Sequence, residues 1–268
     1  RSGEIIESHV GWYHNVMKLL QEWYLIQVGA VDKRARNLKL DEALMGDLIR
    51  FVSSHEIGHC LGLRHNMGAS SQTPVEKLRD KKWVEAHGHT VSIMDYARFN
   101  YVAQPEDNIG TKGLYPRIGD YDKWAIEWGY RYYGNRYKNE FDEQEALAAT
   151  TTQRLTANPH LWFGGEGRGE DPRAQTEDLS DNVMKANTYA LKNLRYVVSN
   201  LHEWMKEPND KYDYLSSMHK SAVLQYNRYL NHVLKHIGSR YIGVIGSDEV
   251  YQPVPKEVVK EAIAYVDA

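Results

Sequence analysis

The residues best equipped for chemistry lie between Phe51 and Asn66, in the stretch FVSSHEIGHCLGLRHN. It carries His55, Glu56 and His59 as H-E-x-x-H, then Gly62 and His65, giving the longer pattern H-E-x-x-H-x-x-G-x-x-H. Helix positions i and i+4 share one face about one turn apart, so the imidazoles of His55 and His59 can converge on a single ion. A catalytic zinc takes three protein ligands and keeps a fourth position for water. His65 can be the third ligand only if the helix stops and the chain turns back. Gly62 suits that stop, because glycine enters the left-handed region at little steric cost. Glu56, beside the first ligand, is placed as general base for a metal-activated water, so the expected cofactor is one catalytic Zn2+.

Downstream lies a second signal, Ser92-Ile93-Met94-Asp95-Tyr96. With it the chain resembles the metzincin zinc metallopeptidases, which carry a tight Met-turn beneath the metal after the third histidine. The resemblance implies that Met94 is an apolar floor under the imidazoles; a thioether is a soft, weak ligand for zinc. It also implies that Tyr96 approaches the metal and stabilises the developing oxyanion, as in the astacin and serralysin branches. Asn66 departs from the residue those branches carry after the third histidine. The segments YDKWAIEWGYRYY and DPRAQTEDL extend the likeness to the bacterial Met-zincin group of large zinc-dependent metallopeptidases. The implied activity is hydrolysis of peptide bonds in a peptide or protein substrate. The implied location is periplasmic, cell-surface or secreted.

Two other functions fit the same motif: a catalytically silent peptide- or glycan-binding module that retains zinc, and a zinc hydrolase of non-peptide amides. Intact Glu56 and an open fourth position favour an enzyme over the silent module, since structural zinc sites close with four protein ligands. Glu76 and Glu85 invite comparison with the thermolysin-like peptidases, whose third ligand is a glutamate on a second helix; the Gly62 and His65 pair argues against it.

Composition sets the outer bounds. The chain has 268 residues, 42% hydrophobic and 26% charged, enough for a sizeable core. A net charge of −3 with dispersed lysines and arginines gives no case for nucleic acid or an anionic membrane. There is no apolar run of membrane-spanning length. The single cysteine, Cys60, excludes an intrachain disulfide framework and reads as a small buried hydrophobe. The opening residues, RSGEIIESHV, begin without methionine in what reads as a strand, so the chain is expected to be part of a longer polypeptide that also carries the rest of the metzincin sheet.

The elements that must position these residues follow from periodicity. Gly3 to Val10 reads as a strand, with His9 and His14 as polar residues at its end, and the metzincin resemblance implies that it is the edge strand that pairs with substrate. Asn15 to Val28 reads as a helix. The motif helix runs from its cap Asp41 to about Leu61 and buries Leu44, Leu48, Phe51 and Val52. A short helix starts near Thr73 and Pro74, followed by a turn with two solvated histidines, His87 and His89. By the same resemblance, Arg98, Tyr101 and Arg117, in the segments after the Met-turn, are candidates to touch substrate. Asp120 caps a helix whose aromatic residues read as core. Asp142 to Leu155 reads as helical, and the stretch from Asn158 to Asn182 as a solvated loop. Two apolar stripes, from Asn182 to Met205 and from Leu215 to Ile237, predict a helical hairpin. His202, His219, His232 and His236 on these helices read as structural. A small β-hairpin turns at Gly246-Ser247-Asp248-Glu249, and Pro255 opens a last helix.

The expected fold class is therefore α+β and predominantly helical. A metzincin-like region over residues 1–134 (edge strand, active-site helix, Met-turn) is followed by a mainly helical extension over residues 135–268 that can pack with it as one unit.

Overall fold

Leu20, Tyr24, Leu25 and Val28 recur at helical spacing, and the first helix, α1 (Val16–Val28), buries all four completely. Each fully buried side chain of this size contributes ~1.5–3 kcal/mol, which makes this stripe the natural centre of the protein. The computed structural model describes residues 3–167, 169–208, 211–243 and 250–268. After α1 come α2 (Glu42–Cys60), α3 (Lys81–His87), α4 (Thr111–Leu114), α5 (Asp120–Tyr130) and α6 (Glu140–Ala157). They are followed by α7 (Val183–Trp204), α8 (Asp213–Leu234), the strands β1 (Arg240–Ile242) and β2 (Tyr251–Pro253), and α9 (Lys256–Asp267). Among the described residues β1 and β2 make the only sheet, an antiparallel pair in which Tyr241 faces Gln252. The fold is thus α+β and predominantly helical. The turn expected at Gly246 to Glu249 lies outside the described residues.

Helix α1 packs on α2, α7 and α8, and α7 lies against α8 as the two apolar stripes require. One buried cluster includes Leu20 of α1, Leu44 and Leu48 of α2, Met94, Phe99, Leu179, Leu194 of α7 and Tyr229 of α8. The motif helix and the helical hairpin therefore share a core. Helix α2 begins where Asp41 accepts the Leu44 amide at 2.8 Å, which satisfies one of the free amides of a helix start. Leu44, Leu48 and Phe51 are buried along its inner face and Val52 is half-buried.

Several local expectations are corrected. Gly3 to Val10, expected as an edge strand, is exposed and has no regular structure. A strand needs a neighbour to take its backbone bonds, and among the described residues β1 and β2 pair only with each other. The segment still passes the end of α2, where Ser8 Oγ donates to the Cys60 carbonyl at 3.4 Å. The helix expected from Pro74 onward is broken in two: a 3-10 turn at Val75–Leu78, then α3, capped by Asp80. Asp120 does not cap α5. It is the first helical residue, and Asp122 reaches back to accept the Gly119 amide at 2.7 Å. Of the aromatic residues there, Tyr121 is buried, but Trp128, Tyr130 and Tyr132 are exposed. Tyr130 instead donates to the Leu61 carbonyl at 2.7 Å, tying α5 to the end of α2.

The largest correction concerns residues 158–182, expected as a solvated loop. Leu161, Trp162, Asp171, Gln175, Glu177, Asp178 and Leu179 are all buried. Buried polar groups need partners, and Asp171 and Glu177 find theirs partly in distant elements. Asp171 takes the Arg173 guanidinium and the Ile242 amide. Glu177 pairs with Arg228 at 2.6 Å and accepts from Gln27 of α1 at 2.9 Å.

Candidate metal centre

The last turn of α2 is built to reverse the chain. Gly62 has φ +83°, its amide donates to the His59 carbonyl at 2.9 Å, and the Leu63 amide donates to the Gly58 carbonyl at 3.0 Å. This pair of bonds is a Schellman motif with glycine at its left-handed position. The reversal brings His65 back against the helix. His55, His59 and His65 then present ligand atoms that all lie within 4.8 Å of one another.

The second nitrogen of each ring fixes its tautomer. His55 Nδ1 bonds the Ile93 carbonyl at 2.7 Å, and His59 Nδ1 bonds the Leu63 carbonyl at 2.8 Å. A carbonyl only accepts, so each Nδ1 carries the proton and each Nε2 keeps its lone pair. His65 Nδ1 likewise faces the Glu166 carboxylate at 3.3 Å. The Nε2 atoms of His59 and His65 are 3.2 Å apart, two lone pairs facing each other. Two nitrogens each about 2.05 Å from a tetrahedral zinc would be about 3.3 Å apart. His55 Nε2 is buried without a hydrogen-bond partner among the described residues, a costly condition that a metal ion removes. Burial lowers the His55 pKa to about 4, outweighing its bond to Ile93, so the ring is neutral at pH 7 and in the ligating form. The donor set thus fits a zinc ion.

Met94 lies under α2, fully buried. Its sulfur occupies the place where a Cβ on Gly58 would lie, 2.3 Å away, so the glycine between the two helical histidines is what lets the Met-turn close against them. The turn is held by Asp122, whose carboxylate accepts from Ser92 Oγ at 2.6 Å and from the Ile93 amide at 2.8 Å. Asp95 is fully buried and accepts the Ser70 amide at 2.6 Å; burial raises its pKa to about 7, against the lowering effect of these bonds.

Tyr96 is half-buried beside the triad, its ring centre 4.5 Å from that of His65 and 5.2 Å from that of His55. Desolvation raises its pKa, opposed by Arg98 and assisted by the charge of Glu56. Arg98 is not on the surface to meet substrate. Its guanidinium is stacked 3.6 Å from the Trp23 ring centre and 4.5 Å from that of Tyr96, with the backbone at φ 56°. Tyr101 is buried in the core, and Arg117 donates to the Glu85 carbonyl at 3.0 Å. Neither Glu76 nor Glu85 reaches the triad: Glu76 pairs with Lys185, and Glu85 accepts the Gly110 amide. His87 is exposed as expected, but His89 is fully buried and donates from Nε2 to the Arg98 carbonyl at 3.2 Å. Its pKa falls to about 3 by burial.

Three residues of the site escaped the sequence reading. Gly58 sits between two ligands, and its signal, a glycine inside a helix, was available. Asp122 stands within the YDKW segment as the third residue of a helix, a capping-box position. Glu166 gives no signal in the sequence, lying in a glycine-rich loop far from the motif.

A left-handed glycine stop, three imidazoles with fixed tautomers and a methionine turn beneath them define a metzincin-type centre. A family model described as Met-zincin matches residues 37–268, and the chain belongs to that family. No curated protein and no solved structure matches it.

Proposed function

We propose that this chain is a zinc-dependent endopeptidase. The observation that carries the reading is the convergence of three imidazoles, each with Nδ1 engaged and Nε2 turned inward, with Glu56 on the same helix as two of them. Zinc bound by His55, His59 and His65 would supply Lewis acidity at a fourth, open position and lower the pKa of a water there. Glu56 takes a proton from the attacking water and returns it to the departing amine nitrogen. The Tyr96 hydroxyl donates to the carbonyl oxygen as charge develops on it. Arg98, stacked 4.5 Å from the centre of the Tyr96 ring, limits where that ring can move.

The test is cleavage of a diverse quenched-peptide library by the purified chain, by the same chain with a zinc chelator, and by Glu56→Ala. The expected result is chelator-sensitive cleavage that falls by at least about 10²-fold in the variant, which still binds one zinc by metal analysis. Near-normal turnover by Glu56→Ala would remove Glu56 from the mechanism. Zinc binding with no cleavage would favour the silent binding module, and cleavage confined to non-peptide amides would favour the other hydrolase.

A further inference from the structure

We infer that Glu166 is the positioning residue for the third histidine of the centre, accepting from His65 Nδ1 so that Nε2 faces the ion. The inference rests on the zinc reading above and extends the centre to a part of the chain outside the metzincin motif. His55 and His59 are aimed by backbone carbonyls, those of Ile93 and Leu63, each fixed by a turn. His65 lies beyond the helix, and among the described residues no backbone carbonyl serves its Nδ1. Its Nδ1 meets a side chain instead, Oε2 of Glu166 at 3.3 Å.

The loop that delivers Glu166 is fastened along the same short segment. Four consecutive residues, Arg64 to Met67, each bond to it. Arg64 Nε donates to Glu166 Oε1 at 3.1 Å, so one carboxylate holds two neighbouring side chains. Asn66, fully buried, donates to the Trp162 carbonyl at 2.9 Å and accepts the Gly164 amide at 2.8 Å. The Met67 amide donates to the Gly165 carbonyl at 2.8 Å. The two backbones cross at Gly68 and Gly164, where a Cβ on Gly164 would lie 2.5 Å from Gly68 Cα; no other residue fits there without moving backbone. Asn66, the residue that departs from the astacin and serralysin pattern, is thus the staple that brings the carboxylate in.

The chemistry differs from that at the other two ligands. A carboxylate acceptor makes the imidazole more basic than a neutral carbonyl does, and such outer partners are worth about 10–100-fold in metal affinity. Arg64 balances part of the added charge, since its guanidinium shares the carboxylate.

The experiment measures Zn2+ affinity of the full chain by competition with a chromophoric chelator, and the visible spectrum of its Co2+ form. Wild type is compared with Glu166→Ala and with the near-isosteric Glu166→Gln, and each fold is checked by circular dichroism and urea midpoint. The expected result is a loss of about 10–100-fold in Zn2+ affinity for Glu166→Ala and a smaller loss for Glu166→Gln, which keeps an acceptor oxygen without the charge. Both variants should show an altered Co2+ spectrum. Folded variants that bind Zn2+ within about twofold of wild type would overturn the inference, as would a lower urea midpoint with an unchanged Co2+ spectrum, the signature of a merely structural loop contact. A wild-type chain that itself fails to bind zinc would overturn the metal reading, and the two failures are therefore distinguishable.

Discussion

Helix α2 contains two glycines in contrasting surroundings, and replacing each by alanine separates helix propensity from the closeness of the Met-turn. Among the described residues a Cβ on Gly46 meets nothing within 4 Å, whereas one on Gly58 would lie 2.3 Å from Met94 Sδ and 3.3 Å from its Cε. Alanine is worth up to about 1 kcal/mol over glycine in a helix interior, so Gly46→Ala should stabilise by roughly that amount. Gly58→Ala gains part of the same term but forces Met94, fully buried, off its rotamer, and such overpacking costs about 1–3 kcal/mol. The two variants should therefore differ by about 1–3 kcal/mol, with Gly58→Ala the weaker. Urea denaturation of both without metal reads this difference directly. Met94 adjoins Ile93, whose carbonyl orients His55, so Gly58→Ala should also weaken Zn2+ binding while Gly46→Ala leaves it unchanged. A Gly58→Ala protein as stable as Gly46→Ala and equal to it in zinc affinity would refute the close approach of Met94 to the helix.

Other outcomes follow from neighbouring contacts. Asn66→Ala removes a buried donor and acceptor together, leaving the Trp162 carbonyl and Gly164 amide without partners; a loss of about 2–3 kcal/mol in urea denaturation is expected, with weaker Zn2+ binding because Glu166 is released. Tyr96→Phe should lower kcat by about 10²-fold with little change in KM, and unchanged kcat in steady-state peptide hydrolysis would remove the hydroxyl from oxyanion stabilisation. Asp95 keeps its proton to about pH 7 in the folded chain but loses it near pH 4 when unfolded. The folded state binds the extra proton between these values, so wild type loses stability as pH rises through that window. Asp95→Asn still offers an acceptor to the Ser70 amide and lacks this term. Its stability relative to wild type should rise by on the order of 2–4 kcal/mol between pH 4.5 and 7.5, and parallel urea midpoints across that range would show that Asp95 is ionised throughout. The buried histidines titrate alike in both proteins and cancel.

Where local residues decide the structure, the sequence was a good guide. The Asp41 cap, the apolar faces of α2, α7 and α8, the glycine stop at Gly62 and the short hairpin all rest on spacings of a few residues. Burial of polar residues was hidden, because its cause is remote. The composition of residues 158–182 reads as solvated, yet Glu177 is buried because Gln27, Arg98 and Arg228 reach it from three other elements. His89 is buried for the same reason: its partner, the Arg98 carbonyl, belongs to a residue with φ 56° that no pattern announces. The exposed Trp128 and Tyr132 err in the opposite direction, since an aromatic side chain states an appetite for burial without naming what will cover it. At the candidate site the histidines were legible from spacing. The groups that aim them were not, being a carbonyl in one turn, a carbonyl in another and a carboxylate far along the chain.

That last distance sets an order of assembly. His65 and Glu166 are 101 residues apart, and a ribosome adding about 5–20 residues each second needs about 5–20 s to make the interval. For that time the nascent chain carries all three histidines and Glu56 but lacks the group that holds the third ring in place. On the zinc reading, dependence of the centre on Glu166 would make metal capture a late event in synthesis, and a chain cut short before the 162–166 loop would carry the whole motif and hold zinc poorly.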